Sequence, residues 1–149
     1  MDANLNAFLD MIAFSEGTST VAGSDNGYNV LVGGTLFDSY ADHPRILVHI
    51  REGLDSTAAG RYQLLERYFD FYKKKLNLPD FSPDSQDAIA VQQIKECNAL
   101  QDIANGNIQS AINQCSHLWA SMPGAGYGQR ENSLESLLSA YQKLGGTLP

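Results

Sequence analysis

The sequence predicts an α+β fold that is mostly helical, with one small β-hairpin in the N-terminal half. Apolar residues recur with helical spacing along most of the 149-residue chain. One short apolar run is centred on the glycine pair Gly33-Gly34, which can form a tight hairpin turn. Strands and helices do not alternate, which excludes a Rossmann-type fold. The length fits one domain spanning residues 1–149.

The N-terminal part contains a helix, a hairpin and a long loop. A helix is predicted over residues 4–16, because Leu5, Phe8, Leu9 and Ile12 share one face. Gly17 follows at the usual C-terminal stop position. Residues 28–37 predict the hairpin, and a loop runs from there to about residue 59. Its length is typical of a functional flap.

The remainder is predicted to be helical. One helix is expected over residues 61–77, and another starts at Ser82-Pro83, with serine as cap. The second has apolar residues all round its axis, which is typical of a buried central helix. Short helices follow within residues 99–120, before a glycine-rich loop at 123–128. Asn132 and Glu135 have capping-box spacing and predict the start of the last helix.

Composition excludes several classes of protein. The net charge of −7 argues against nucleic-acid binding. No apolar run reaches the roughly 20 residues that cross a bilayer, so no stable membrane association is expected. The N-terminus lacks the pattern of a secretory signal, so we expect the protein to stay in the cytoplasm until another factor releases it.

The cysteines and histidines predict neither a disulfide framework nor a metal site. Cys97 and Cys115 are the only cysteines, and reduced, buried thiols are the favoured interpretation. His43, His49 and His117 are scattered, and no Cys/His pair has the spacing of zinc ligands. No cofactor is expected.

Positive charge is concentrated in one stretch. Residues 45–75 contain seven of the ten basic residues and four acidic ones, a local net charge of +3 that leaves −10 elsewhere. Such a stretch either faces an anionic polymer or is simply a solvated helix face.

Glu16 is the strongest candidate for a catalytic residue. With Leu5 at 0° on a helical wheel, Phe8, Leu9 and Ile12 fall at roughly 300°, 40° and 340°, and Glu16 falls at roughly 20°. Its carboxyl is therefore expected on the apolar face, at the negative end of the helix dipole. Both surroundings raise a carboxyl pKa, and a protonated carboxylic acid is what glycosidic bond cleavage requires. The alternative is a frayed helix end with Glu16 in water.

Two further segments carry candidate sugar contacts. In residues 56–63, Tyr62 offers an aromatic face and Gln63 an amide, which suit sugars with N-acetyl groups. Tyr127 is the equivalent candidate in the loop at 123–128. The alternatives are a core position for Tyr62 and a plain turn at the loop.

Six sequence blocks, in order, resemble the phage lambda endolysin family. They include Ala7–Gly17, Gly27–Gly34 and Asp42–Arg45. The other three are Ala59–Leu65, Asp80–Pro83 and Trp119–Gln129.

The resemblance implies a lysozyme-like fold with a sugar-binding groove between two lips. It implies cleavage of the β-1,4 bond between N-acetylmuramic acid and N-acetylglucosamine, without water, to give a 1,6-anhydro sugar. Glu16 matches the family's catalytic acid. The implied substrate-binding residues are Ser15, Tyr28, Ser56, Thr57, Tyr62, Gln63, Gly126 and Tyr127.

The same resemblance implies a phage lysis enzyme, a monomer that acts on peptidoglycan glycan strands. It would be stored in the host cytoplasm and reach the periplasm when a separate holin permeabilises the membrane. The family has an aspartate where this chain has Asn29, which fits a mechanism with one catalytic acid. The alternatives are a hydrolytic muramidase, with Asp25 or Asp38 as second carboxylate, and a wall-binding protein without activity.

Overall fold

The computed structural model describes residues 2–149, which form two compact units. One unit combines the N-terminal segment ending at Glu16 with Ala90–Pro149, and the other is Gly17–Ile89. None of the helices within the described residues is long and apolar enough to cross a membrane.

The first unit is helical. Helix α1 spans Ala3–Glu16, which confirms the first predicted helix. Gly17 follows with a φ of +77°, the left-handed conformation that ends many helices. Side chains such as Phe8, Met11 and Ile12 are fully buried in this unit's core.

The second unit contains the strands, and they differ from the predicted hairpin. Residues 28–37 form a tight turn closed by one isolated bridge, Val30 to Leu36, and Leu31 forms a second bridge with Ala59. The two-stranded antiparallel sheet instead consists of β1, Val48–Arg51, and β2, Leu54–Ser56. It lies within the segment predicted to be a loop. The sequence pattern missed it because the strands are short: β1 alternates apolar and polar residues over four positions only, and β2 spans three residues without a matching alternation.

Helix α2 spans Glu66–Lys75, so the predicted start at residue 61 was wrong by five residues. Gly60 adopts a φ of +84°, and a β-carbon there would lie 2.4 Å from Oε1 of Gln86. The backbone amide of Arg61 donates to that same oxygen at 2.9 Å. The chain before α2 is therefore used in tertiary hydrogen bonds rather than in a helical turn. Leu31, Phe37, Phe69, Tyr72, Phe81 and Ile89 form the core of this unit.

The later helices follow the predicted order. They are α3, Pro83–Glu96; α4, Leu100–Ala104; α5, Ile108–Cys115; a short 3₁₀ helix, Ser116–Leu118; and α6, Leu134–Lys143. Ile89, Ala90 and Ile94 of α3 are buried, as predicted, but so are the polar Ser85, Gln86 and Gln93. Cys115 is buried and Cys97 partly buried, and both thiols are free.

The predicted cap of the last helix was wrong by one residue. Ser133 is the N-cap of α6, and its hydroxyl accepts a hydrogen bond from the Ser136 amide at 3.1 Å. Asn132 has a different role, described below.

Candidate active site

Glu16 is the last residue of α1, and its environment favours the protonated carboxyl. The residue is half-buried rather than enclosed, since it sits at the end of the helix whose apolar face fills the core. Burial raises the pKa of its carboxyl from 4.5 to about 7, and a hydrogen bond from Ser121 acts in the opposite direction. A carboxyl with this pKa can donate a proton and take one back near neutral pH.

A chain of hydrogen bonds links Glu16 to residues more than 100 positions away. The side-chain amide of Asn132 donates to the Ser15 carbonyl at 3.0 Å and to the Ser15 hydroxyl at 3.1 Å. The hydroxyls of Ser15 and Ser121 lie 2.7 Å apart. The Ser121 side chain is also hydrogen-bonded to the Glu16 carboxyl. Hydrogen bonds therefore connect Asn132, Ser15 and Ser121 to the Glu16 carboxyl.

A backbone hydrogen bond and burial also hold Ser121, Asn132 and Ser15 in position. The Asn132 amide donates to the Ser121 carbonyl at 2.6 Å, so Ser121 and Asn132 close the segment between them into a loop. Ser15 is buried, with 7% of its surface exposed. Ser15 therefore holds the end of α1 in place.

The glycine-rich loop at 123–128 is organised around another carboxylate. Glu131 accepts hydrogen bonds from the backbone amides of Gly124 at 2.9 Å and Gly126 at 3.1 Å. These two donors hold the pKa of the Glu131 carboxyl below its usual value. The Tyr127 hydroxyl donates to the His117 carbonyl, while 54% of the Tyr127 surface stays exposed. An anchored, exposed aromatic ring is well suited to contact a sugar.

In the second unit, Tyr28 and Tyr62 form a polar cluster with Asp87. Their hydroxyls donate to the Asp87 carboxylate at 2.9 Å and 2.6 Å. The guanidinium of Arg61 lies 5.4 Å and 5.6 Å from the two ring centres. Tyr62 is only 5% exposed, which favours the core interpretation of this residue over an open aromatic surface.

The remaining candidates have their polar groups engaged locally. The Gln63 amide donates to the carbonyls of Val30 at 3.2 Å and Gly60 at 2.9 Å. The Thr57 hydroxyl accepts from the Glu66 amide at 3.0 Å, and the Ser56 hydroxyl from the Ala58 amide at 3.0 Å. Substrate contact by these residues stays a prediction, as it does for Ser15, Tyr28, Tyr62, Gly126 and Tyr127.

Sequence reasoning missed Ser121, Asn132 and Asp87 as members of these clusters. Ser121 lies in a block that resembles the family, but nothing there marks its side chain. Asn132 is 117 positions from Ser15, a separation that no local pattern detects. Asp87 is one of several acids in α3, and nothing in the local sequence distinguishes it from the others.

Comparison with known proteins gives consistent matches. The endolysin family model matches residues 6–148. The endolysin of Escherichia phage lambda is 56% identical over 144 residues, covering 95% of this chain and 91% of that protein. The endolysin of Escherichia phage P2 is 49% identical over 154 residues, covering 96% of this chain and 93% of that protein.

A solved structure of bacteriophage lambda lysozyme complexed with a chitohexasaccharide matches with a TM-score of 0.98 and 53% identity. It covers 100% of this chain and 98% of that one. A second structure of lysozyme from bacteriophage lambda has a TM-score of 0.93 and 52% identity. The expected lysozyme-like α+β fold and the family resemblance are confirmed.

Proposed function

Because the chain belongs to the endolysin family, we propose that it cleaves peptidoglycan as a lytic transglycosylase with Glu16 as its catalytic acid. As an endolysin, it is a phage enzyme that degrades the bacterial cell wall. Two finer points are proposed here. One is that cleavage proceeds without water, and the other is that Glu16 carries the proton in both steps.

The observation that carries the proposal is the partial burial of the Glu16 carboxyl at the end of α1, which raises its pKa to about 7. In the first step, the protonated carboxyl donates to the glycosidic oxygen, and the bond from C1 of N-acetylmuramic acid to that oxygen breaks. In the second, the O6 hydroxyl of the same sugar bonds to C1 and its proton returns to the Glu16 carboxylate. One carboxyl thus completes the cycle, since no water has to be activated.

The hydrogen-bond chain from Asn132 supports this cycle. It supplies a single hydroxyl donor to the Glu16 carboxylate, enough to orient it without stabilising the charge so strongly that the proton is lost. The bound chitohexasaccharide in the lambda lysozyme structure supports a glycan as substrate.

A hydrolytic muramidase is the second candidate, because relatives of this chain are called lysozymes. It would pair Glu16 with another carboxylate. Of the two candidates from the sequence, Asp25 accepts a hydrogen bond from the Tyr40 hydroxyl at 2.7 Å, and Asp38 is exposed.

Mass spectrometry of the muropeptides released from purified peptidoglycan separates the two reactions. We expect products one water lighter than hydrolytic ones, with 1,6-anhydro ends. Ordinary reducing ends would identify a muramidase, and Asp25→Asn and Asp38→Asn would then test for the second carboxylate. No soluble product would leave the binding protein as the remaining interpretation.

We also propose that the enzyme is a monomer stored in the host cytoplasm and released by a separate holin. Expression in bacteria with and without a holin tests the release. Lysis and periplasmic protein should require the holin. Lysis at the same rate without it would contradict the proposal.

A further inference from the structure

The concentration of positive charge at residues 45–75 is only partly explained by the fold. Arg45 pairs with Asp42 at 2.8 Å, Glu66 at 3.1 Å and Asp70 at 2.6 Å. Arg61 is buried, and its guanidinium donates to the Asn26 carbonyl at 2.9 Å. These two arginines therefore stabilise the second unit.

Other cations of this stretch lie together on α2. At about 100° per residue, Arg67, Lys74 and Lys75 share an arc of roughly 120° with Tyr68 and Phe71. We call this arc the α2 outer face. Phe69 and Tyr72 point the other way and are buried. Glu66 and Asp70, the acids of the helix, lie outside the arc and are paired with Arg45. The α2 outer face therefore carries cations and aromatic rings but no acid.

Both aromatic rings on this face are open to solvent. Phe71 is 56% exposed and Tyr68 is 44% exposed. The Arg67 guanidinium lies 4.9 Å from the centre of the Tyr68 ring, and the Lys75 ammonium lies 5.5 Å from the centre of the Phe71 ring. Exposed aromatic residues beside cations are enriched at binding surfaces.

We propose that the α2 outer face is a binding surface for peptidoglycan in addition to the candidate active site. The proposal rests on the proposed substrate. Carboxylates of the peptide stems would pair with Arg67, Lys74 and Lys75, and sugar rings would stack on Tyr68 and Phe71. Such a surface lets an acidic enzyme stay on an anionic polymer, because the attraction is confined to one acid-free face.

A glycan–peptide polymer fits this face better than a lipid bilayer does. Lipid association needs a continuous apolar face that enters the acyl region. Here the two aromatic rings are interspersed with cations, and the apolar side of the helix is already packed in the core. Peptidoglycan offers partners for both kinds of group, since its strands carry sugar rings and its peptide stems carry carboxylates.

Sedimentation with insoluble peptidoglycan tests the proposal, in a Glu16→Gln background so that the wall is not digested. The test variant is Phe71→Ser with Lys74→Gln and Lys75→Gln. The control is Leu144→Ser with Lys95→Gln and Lys143→Gln, which removes equal charge and one exposed apolar side chain from elsewhere. We expect the test variant to bind about fivefold more weakly at low salt, and the control to bind as the parent does.

With Glu16 restored, the test variant should digest whole wall more slowly but cleave short soluble glycans at the parent rate. Equal wall binding by the test and control variants would overturn the proposal. The proposal would also be overturned if the test variant lost its binding to vesicles containing anionic phospholipid but kept its binding to the wall. Circular dichroism verifies that both variants fold. Because binding is measured without cleavage, the result is independent of the reaction type.

Discussion

Two glutamates of the first unit show how one side chain acquires opposite properties. Glu16 ends α1, is half-buried, and has a pKa raised to about 7 despite a hydrogen bond from Ser121. Glu131 is exposed, accepts two backbone amides, and has a pKa below its ordinary value. The hydration of each carboxylate and the number of hydrogen-bond donors to it decide the difference in pKa. Glu16 has lost most of its hydration and gained one donor, whereas Glu131 keeps its hydration and gains two. The first can exchange a proton near neutral pH, whereas the second is an anion there.

Replacing Glu16 should give the largest effect. Glu16→Gln keeps the size and polarity of the side chain but cannot donate a proton to the glycosidic oxygen. We expect wall lysis to fall by about 10²- to 10⁴-fold, measured as the turbidity of a peptidoglycan suspension. The matched change Glu131→Gln should keep most of the activity. Unchanged lysis by Glu16→Gln would show that Glu16 is not the acid.

The same variant should be more stable than the wild type at high pH. Since the folded-state pKa of Glu16 is raised from 4.5 to about 7, its contribution to stability is complete below pH 4.5 and is lost as pH rises through 7. At pH 8, Glu16→Gln should gain on the order of 3 kcal/mol, or about 5–10 °C in Tm. At pH 4 the two proteins should unfold together. Calorimetry at both pH values measures this, and a pH-independent difference would contradict it.

Removing the Ser121 hydroxyl should sharpen the contrast between the two glutamates. Ser121→Ala deletes the one donor that lowers the pKa of Glu16, so this pKa should rise further. The alkaline limb of the pH–rate profile should move to higher pH, with kcat reduced within about tenfold.

Ser121→Thr keeps a hydroxyl, so the alkaline limb of its pH–rate profile should lie at the same pH as in the wild type. Ser121 is thus a positioning residue, and a merely structural role would change stability without moving the pH profile. A profile of unchanged shape in Ser121→Ala would contradict this role.

The smallest effect is expected at Glu131. Glu131→Ala removes the acceptor for the Gly124 and Gly126 amides, which should then exchange hydrogen faster in NMR. The pKa of Glu131 is lowered in the folded protein, so its carboxylate stabilises the loop at pH values above the ordinary carboxyl pKa. This stabilisation is lost as pH falls through the lowered pKa. The difference between variant and wild type should therefore vanish in acid. Equal exchange at neutral pH would show that the carboxylate does not order the loop.

Local patterns predicted the helices and the candidate acid. Helix α1 and its stop at Gly17 follow from apolar spacing and a glycine, and these are properties of neighbouring residues. The position of Glu16 on the apolar face follows from the same geometry. The strands β1 and β2 were not predicted, because they span only four and three residues and most of their side chains are exposed. The start of α2 also depends on a distant contact, that of Arg61 with Gln86.

The sequence by itself determined the mainly helical class, the buried face of α1 and the place of a carboxyl at its end, since these depend on periodicity. Only the tertiary structure decided what surrounds that carboxyl. Ser121 and Asn132 reach Ser15 and Glu16 across more than 100 positions. The tertiary structure also decided that Arg45 pairs with Asp42, Glu66 and Asp70. Hydration and hydrogen bonding set a side chain's chemistry, and both depend on residues that folding brings together.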